Sequence, residues 1–248
     1  LDVLPPGVEV IQERLHPDMA AGLADHRGKP DVVVGRYVVE HAHDVGRFLA
    51  ALRALVKRGG YVVVEVPDCQ PALDTFDYSA VWEEHVLYFT EPVLRRTLAR
   101  GGFSVMDFES YPYRLQNALV AIAREGGTPA ALPAAGSFDE ERARWKEWTL
   151  HLDRKRHGTQ AFLREYRDTR GGIAMYGAAQ RGCSFVNLLE LSDHLDLVVD
   201  DNVRKHGFFM PGSRLPICQP SALLEGGRSL CLLAARPDWF APRAWLAH

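Results

Sequence analysis

The segment from Asp31 to Val66 limits the fold more than any other part of the chain. Asp31-Val-Val-Val-Gly35 is a compact apolar strand, and Val38-Val39 reads as its continuation. Asp44 is placed to cap a helix in which Val45, Phe48, Leu49, Leu52, Leu55 and Val56 recur at helical spacing, with Gly59-Gly60 as its stop. Tyr61-Val-Val-Val-Glu-Val66 is a second strand, closed by Pro67-Asp68. Strand, helix and strand in close succession form a βαβ unit, and such a unit demands a parallel sheet. Upstream, Val8 to Ile11 reads as a short β-rich run and Met19 to Leu23 as helical.

Downstream the alternation continues. Thr90-Glu91-Pro92 opens a helix with Leu94 and Leu98 on its apolar face and Gly101-Gly102 as its end. Phe103 to Phe108 and Leu119 to Ala123 are strands expected to close the same sheet, antiparallel at its edge. Residues 125 to 136 are rich in Gly, Ala and Pro and read as a linker. Ser137-Phe-Asp-Glu140 is a capping-box pattern that predicts a long polar helix, with Trp145, Trp148 and Leu152 on one stripe. Gly158 is expected to break or bend it before Phe162, Leu163 and Tyr166 resume the apolar face. A second βαβ pattern follows: strand Ile173 to Tyr176, turn Gly177 to Gly182, helix Cys183 to Leu191, strand Leu195 to Val199, a short helix near Pro220 to Leu224 and strand Ser229 to Ala234. The expected organisation is a first α/β domain over 1–124, a linker and bridging helix over 125–170, and a second α/β domain over 171–248.

Composition removes several function classes. With 248 residues and 47% apolar content, the chain has enough apolar material for real cores. Lys and Arg number 29 against 32 Asp and Glu, so nucleic-acid binding gets no electrostatic support. No apolar stretch approaches the roughly 20 residues of a membrane helix. Cys69, Cys183, Cys218 and Cys231 lie far apart without a C-x-x-C pair, which argues against a zinc knuckle and for a reducing, cytosolic compartment. The chain starts at Leu1 rather than Met, and its front is expected to lie further upstream.

Three segments carry candidate chemistry. Arg36-Tyr-Val-Val-Glu-His41-Ala-His43-Asp44 follows a buried strand, where open α/β sheets place ligands. Histidine there suits a base near neutral pH, or simply caps the following helix. Trp82-Glu-Glu84-His85-Val-Leu-Tyr88-Phe89 lies in a long connection past the second strand, and Glu84 can tune His85 if the two side chains meet. The competing reading is an aromatic lid on the sheet. Gly177-Ala-Ala-Gln-Arg-Gly182, with Asp200 and Asp201 after the next strand, mimics a dinucleotide site but departs from G-x-G-x-x-G at Ala178 and Ala179. Packing of a Rossmann-like lobe explains the same glycines. The turn-rich run from Lys205 to Ile217 adds Lys205 and Arg214 as anion-binding cations.

Together these stretches resemble the sugar C-methyltransferases that act on nucleotide-linked keto-deoxysugars. Asp31 to Asp44 and Gly60 to Pro67 are similar to the fourth and fifth strands of a class I methyltransferase. Glu84-His85 with Tyr88-Phe89 is similar to the family's Tyr-x-Glu-His-Leu-x-Tyr-Phe loop. Tyr176 to Gly182 with Val199-Asp-Asp-Asn202, Lys205, Gly207 and Pro211-Gly212 is similar to its C-terminal domain. The resemblance implies a class I methyltransferase-like Rossmann lobe, incomplete at its N-terminus, plus a second Rossmann-like lobe. It implies methyl transfer from S-adenosylmethionine to a sugar carbon beside a ketone, by way of an enolate. His85 with Glu84 then takes the base position, and His41 that of a substrate-facing histidine. Trp82 stands where the family has a tyrosine, so Tyr88 or a histidine must supply that function. Arg36 and Tyr37 fall to the cofactor, and Trp82 and Lys205 to the substrate. The family's Gly-rich cofactor turn and its cysteine-rich zinc domain do not precede Leu1, so zinc is expected only with an upstream domain. The expected partner is a small-molecule nucleotide-linked sugar, with no nucleic acid and no membrane. The alternatives are a non-catalytic sugar-nucleotide-binding protein that has lost half the cofactor site, and a nicotinamide enzyme using Gly177 to Gly182.

Overall fold

Three successive β-branched residues make Val32–Arg36 (β1) extended, and Tyr61–Pro67 (β2) repeats the pattern beside it, parallel, with Val34 facing Val63. The computed structural model describes residues 6–82, 84–113, 116–126 and 135–234. They divide into two compact units, the described parts of Leu1–Asp68, Val86–Pro112 and Ala118–Ala134, and those of Cys69–His85, Tyr113–Asn117 and Ala135–His248.

In the first unit, Pro17–Arg27 (α1) precedes β1, and Val45–Leu55 (α2) links β1 to β2. Glu91–Arg100 (α4), Phe103–Tyr111 (β3) and Ala118–Glu125 (β4) follow. The strand order is β1-β2-β4-β3, and β4 is antiparallel to both neighbours, as the sequence predicts for the closing edge. Asp44 caps α2 by accepting the Arg47 N–H at 2.9 Å. Leu49, Leu52, Val62, Val64, Leu94, Leu98 and Phe103 fill the core.

Several local expectations change. Val38-Val39 does not extend β1: Tyr37 turns into the left-handed region at φ 51° and a single 3-10 turn, Val39–His41, follows. Val8 to Ile11 forms no strand and is exposed, because no described strand lies beside it. The helix α2 ends at Leu55, before Gly59-Gly60, and Gly60 is required for another reason. A Cβ there would lie 2.6 Å from the Asp31 carbonyl oxygen.

The second unit holds Gln70–Asp74 (α3), Ala135–Arg170 (α5), Gly172–Tyr176 (β5), Gln180–Leu188 (α6), Leu197–Val199 (β6), Ile217–Cys218 (β7) and Arg228–Leu233 (β8). Its sheet is parallel throughout, in the order β7-β6-β5-β8. The helix α5 runs 36 residues, roughly 54 Å at the usual rise. It starts before Ser137, so Ser137 is not its cap, and it passes Gly158 unbroken, since a single interior glycine costs a helix only about 1 kcal/mol relative to alanine. Trp148, Leu152, Leu163 and Tyr166 pack on the core while Phe162 is exposed. The expected linker at 125–136 lies mostly outside the described residues. The short strand β7 has no signal of its own in the sequence, being two residues between turns. Among the described residues, no helix is long and apolar enough to cross a membrane.

Residues 69–85 follow β2 in sequence yet belong to the second unit. Tyr78 explains this. Its ring is 2% exposed, lies 4.3 Å from the Trp148 ring, and its O–H donates to the Trp148 carbonyl at 2.7 Å.

Candidate active site

The chain leaves β1 through Arg36 and Tyr37. The Arg36 Nε donates to Glu65 Oε2 at 2.7 Å, and its guanidinium lies 5.3 Å from the Tyr37 ring centre. The Tyr37 N–H donates to the Glu65 carbonyl, so both residues assigned to the cofactor are fixed against the end of β2. Beyond them, His41 and His43 line a cavity of about 460 Å³ together with Arg14, His16, Arg47 and Phe48. Asp44, the cap of α2, is at the same cavity. Two arginines, three histidines and a helix N-terminus suit an anionic group, and Leu15 and Phe48 offer apolar surface beside it.

Sequence reasoning passed over Glu40, between Val39 and His41. It is 1% exposed, and neither carboxyl oxygen has a hydrogen-bond partner among the described residues. Burial pushes its carboxyl above the ordinary carboxylate range. Its backbone carbonyl accepts the N–H groups of Val86 and Leu87, at 2.9 and 3.1 Å, and so anchors the start of the segment that carries Tyr88. Tyr88 is half-buried next to Phe89, which sits in the first core and bridges to Asp68.

Trp82, Glu84 and His85 belong to the second unit. The His85 N–H donates to the Trp82 carbonyl at 3.0 Å, and the two rings lie 4.9 Å apart, tilted by 32°. Glu84 is exposed at this turn and His85 half-buried. The segment is a tight turn rather than a strand, so the alternation that separates neighbouring side chains on a strand does not apply to Glu84 and His85.

The third candidate segment is a structural knot. Burial pushes the Asp200 carboxyl up, but the Asn202 N–H, the Lys205 ammonium and the Ala178 N–H outweigh it and hold the group below the usual range. The three bonds measure 2.9, 3.0 and 2.8 Å. Lys205 also donates to the Ala178 carbonyl at 2.9 Å, and the Tyr176 hydroxyl donates to Asp201 Oδ1 at 2.6 Å. Asp200 is thus held by the turn itself, where a dinucleotide site needs its acid for a ribose. Gly182 serves packing too, since a Cβ there would lie 2.4 Å from the Gly177 carbonyl oxygen. Lys205, expected at a substrate, is bound to this knot.

Residues 2–107 match the family model of a methyltransferase domain, and residues 136–235 that of a C-methyltransferase C-terminal domain. The two matches follow one another along the chain, in the order that the resemblance drawn from its motifs implies. A curated relative, the C-methyltransferase NovU of Streptomyces niveus, is 26% identical over 223 residues, covering 86% of this chain and 53% of NovU. The chain spans about half the length of that relative. Among solved structures, a 1,6-didemethyltoxoflavin-N1-methyltransferase of Burkholderia thailandensis is 23% identical, covering 39% of this chain and 44% of its own, with a TM-score of 0.32. The magnesium protoporphyrin IX methyltransferase of Synechocystis PCC 6803 is 18% identical over 42% of this chain and 48% of its own, with a TM-score of 0.33.

Proposed function

We propose that the protein is an S-adenosylmethionine-dependent C-methyltransferase acting on a nucleotide-linked keto-deoxysugar. The observation that carries this reading is the pair of domain matches in one order along one chain. The described residues fit part of such a cofactor and substrate, because the cavity beside His41 combines cations with apolar surface and has the size of a small-molecule site. When bound, S-adenosylmethionine supplies an electrophilic methyl group, and Arg36 and Tyr37 would hold it.

The chain's own residues take the remaining work. Carbon is a poor nucleophile until a proton beside the ketone is removed, so a base is needed and the enolate oxygen needs a donor. His85, oriented by Glu84, is the base, and Tyr88 is the donor to the enolate oxygen. His41 orients the sugar, and Trp82 packs against it in place of the family's tyrosine. Lys205 acts through the Asp200 knot, as a support of the second unit.

The test incubates the protein with S-adenosylmethionine and a nucleotide-linked keto sugar in deuterated water. Mass spectrometry should show a methylated sugar, and the carbon-bound proton beside the ketone should exchange before transfer. His85→Ala should abolish both and leave cofactor affinity unchanged. Sugar-nucleotide binding without methylation, and without any response to S-adenosylhomocysteine, would instead establish a binding protein.

A further inference from the structure

The turn that imitates a dinucleotide loop has a second set of bonds, all within the second unit. The Gln180 amide donates to the carbonyls of Val81 and Ser79, and the Ser184 hydroxyl donates to the same Val81 carbonyl. The Arg181 guanidinium donates to Asp77 Oδ2 at 2.6 Å and to Ser79 Oγ at 3.0 Å. Asp77 in turn accepts the Ser79 N–H at 2.9 Å, which folds residues 77–80 into a 3-10 turn. Tyr78 is plugged into the core between these bonds. Thus the first turn of α6 grips 77–81 from its polar side, while Tyr78 grips it from its apolar side. The segment so held ends one residue before Trp82, and Trp82 accepts the His85 N–H.

We propose that Gln180, Arg181 and Ser184 are positioning residues, and that the first turn of α6 is a clamp that fixes the Trp82–His85 turn. This rests on the reading of His85 as the base. The physical case is that a short polar loop with few apolar anchors opens locally at low cost unless its backbone groups are tied. Here the Val81 carbonyl is tied twice, and a charge-assisted pair holds Asp77. A base displaced by about 1 Å loses on the order of a hundredfold in rate, so such ties matter to turnover more than to binding.

The experiment compares Gln180→Ala, Ser184→Ala, Ser184→Thr, Arg181→Ala and Arg181→Lys with the parent protein. Amide hydrogen exchange is read over 78–88 and over β5 and β6, beside kcat and KM for methyl transfer. Gln180→Ala and Arg181→Ala should each speed exchange over 78–88 by about tenfold or more with β5 and β6 unchanged. They should lower kcat by about tenfold to a hundredfold at constant KM for S-adenosylmethionine. Ser184→Thr and Arg181→Lys should recover part of both effects. Unchanged exchange over 78–88 would overturn the clamp, as would faster exchange with unchanged kcat in a protein that His85→Ala inactivates. If His85→Ala keeps full turnover while exchange still rises in the clamp variants, the clamp stands and the assignment of the base falls.

Discussion

Asp200→Ala tests whether the Gly177–Gly182 turn is a structural knot or a ligand site. The substitution removes the acceptor of two backbone N–H groups and of the Lys205 ammonium, all within 3.0 Å. Hydrogen bonds with one charged partner contribute about 1.5–3 kcal/mol each when dry. Lys205 is one-third exposed, so water recovers part of its share. A net loss of about 2–4 kcal/mol is the result, near the lower end for a broken buried pair. The assay is urea unfolding followed by circular dichroism across a pH series. The Asp200 carboxyl is held below its unfolded value, so its contribution is complete above the ordinary carboxylate range. It is lost as pH falls through the lowered folded value. The gap between parent and Asp200→Ala should therefore be constant near neutrality and close in acid. A loss under about 1 kcal/mol, or a gap that widens in acid, would refute the reasoning. So would tight nicotinamide-dinucleotide binding that Asp200→Ala abolishes.

Three further outcomes follow from the same structure. Glu40→Gln should hold or raise stability at neutral pH, because the amide cannot ionise and so escapes the desolvation penalty of a buried carboxylate. Because burial raises the Glu40 carboxyl, its favourable share is complete below the unfolded value and lost as pH rises through the folded one. The variant should flatten that decline in urea titrations between pH 4 and 8, and an unaltered slope would exclude it. Gly182→Ala should destabilise by at least about 2 kcal/mol despite the better helix propensity of alanine, since its Cβ meets a backbone carbonyl, and a rise in melting temperature would contradict this. Burial pushes the Cys231 thiol up to about 11, so at pH 8 iodoacetamide should modify it far more slowly than a thiol of ordinary acidity, read by peptide mass mapping.

What the sequence disclosed follows from the range of the forces involved. Periodicity and local caps located β1, α2, β2, α4, β3, β4, β5, β6 and β8, because each of these carries its own apolar pattern or stop signal. The Val38-Val39 run misled, since a positive φ at Tyr37 is set by the bonds of Arg36 and Tyr37 to Glu65 rather than by local propensity. The membership of residues 69–85 in the second unit was illegible for the same reason: the Tyr78 to Trp148 bond spans 70 positions. At the candidate site, His41 and His85 were visible as chemistry-bearing types at strand ends. Glu40 was not, because one acid inside an apolar run gives no sign of whether it faces water. The Asp77-Tyr-Ser79 turn signal was readable and overlooked, whereas its Arg181 partner lies 104 positions away.

Among the described residues, the outer side of β1 is open to pairing. Strand β1 is paired on one side only among the described residues, and Val32 and Val34 on it are 48% and 64% exposed. Its five residues, Val-Val-Val-Gly-Arg, hold neither lysine nor proline, the residues that commonly blunt an exposed edge. Nearby in sequence, Val8, Val10 and Ile11 are exposed as well, with the β-branched character of a strand donor. Any strand that pairs with the outer side of β1, from whichever part of the polypeptide, would cover Val32 and Val34 together with its open backbone groups.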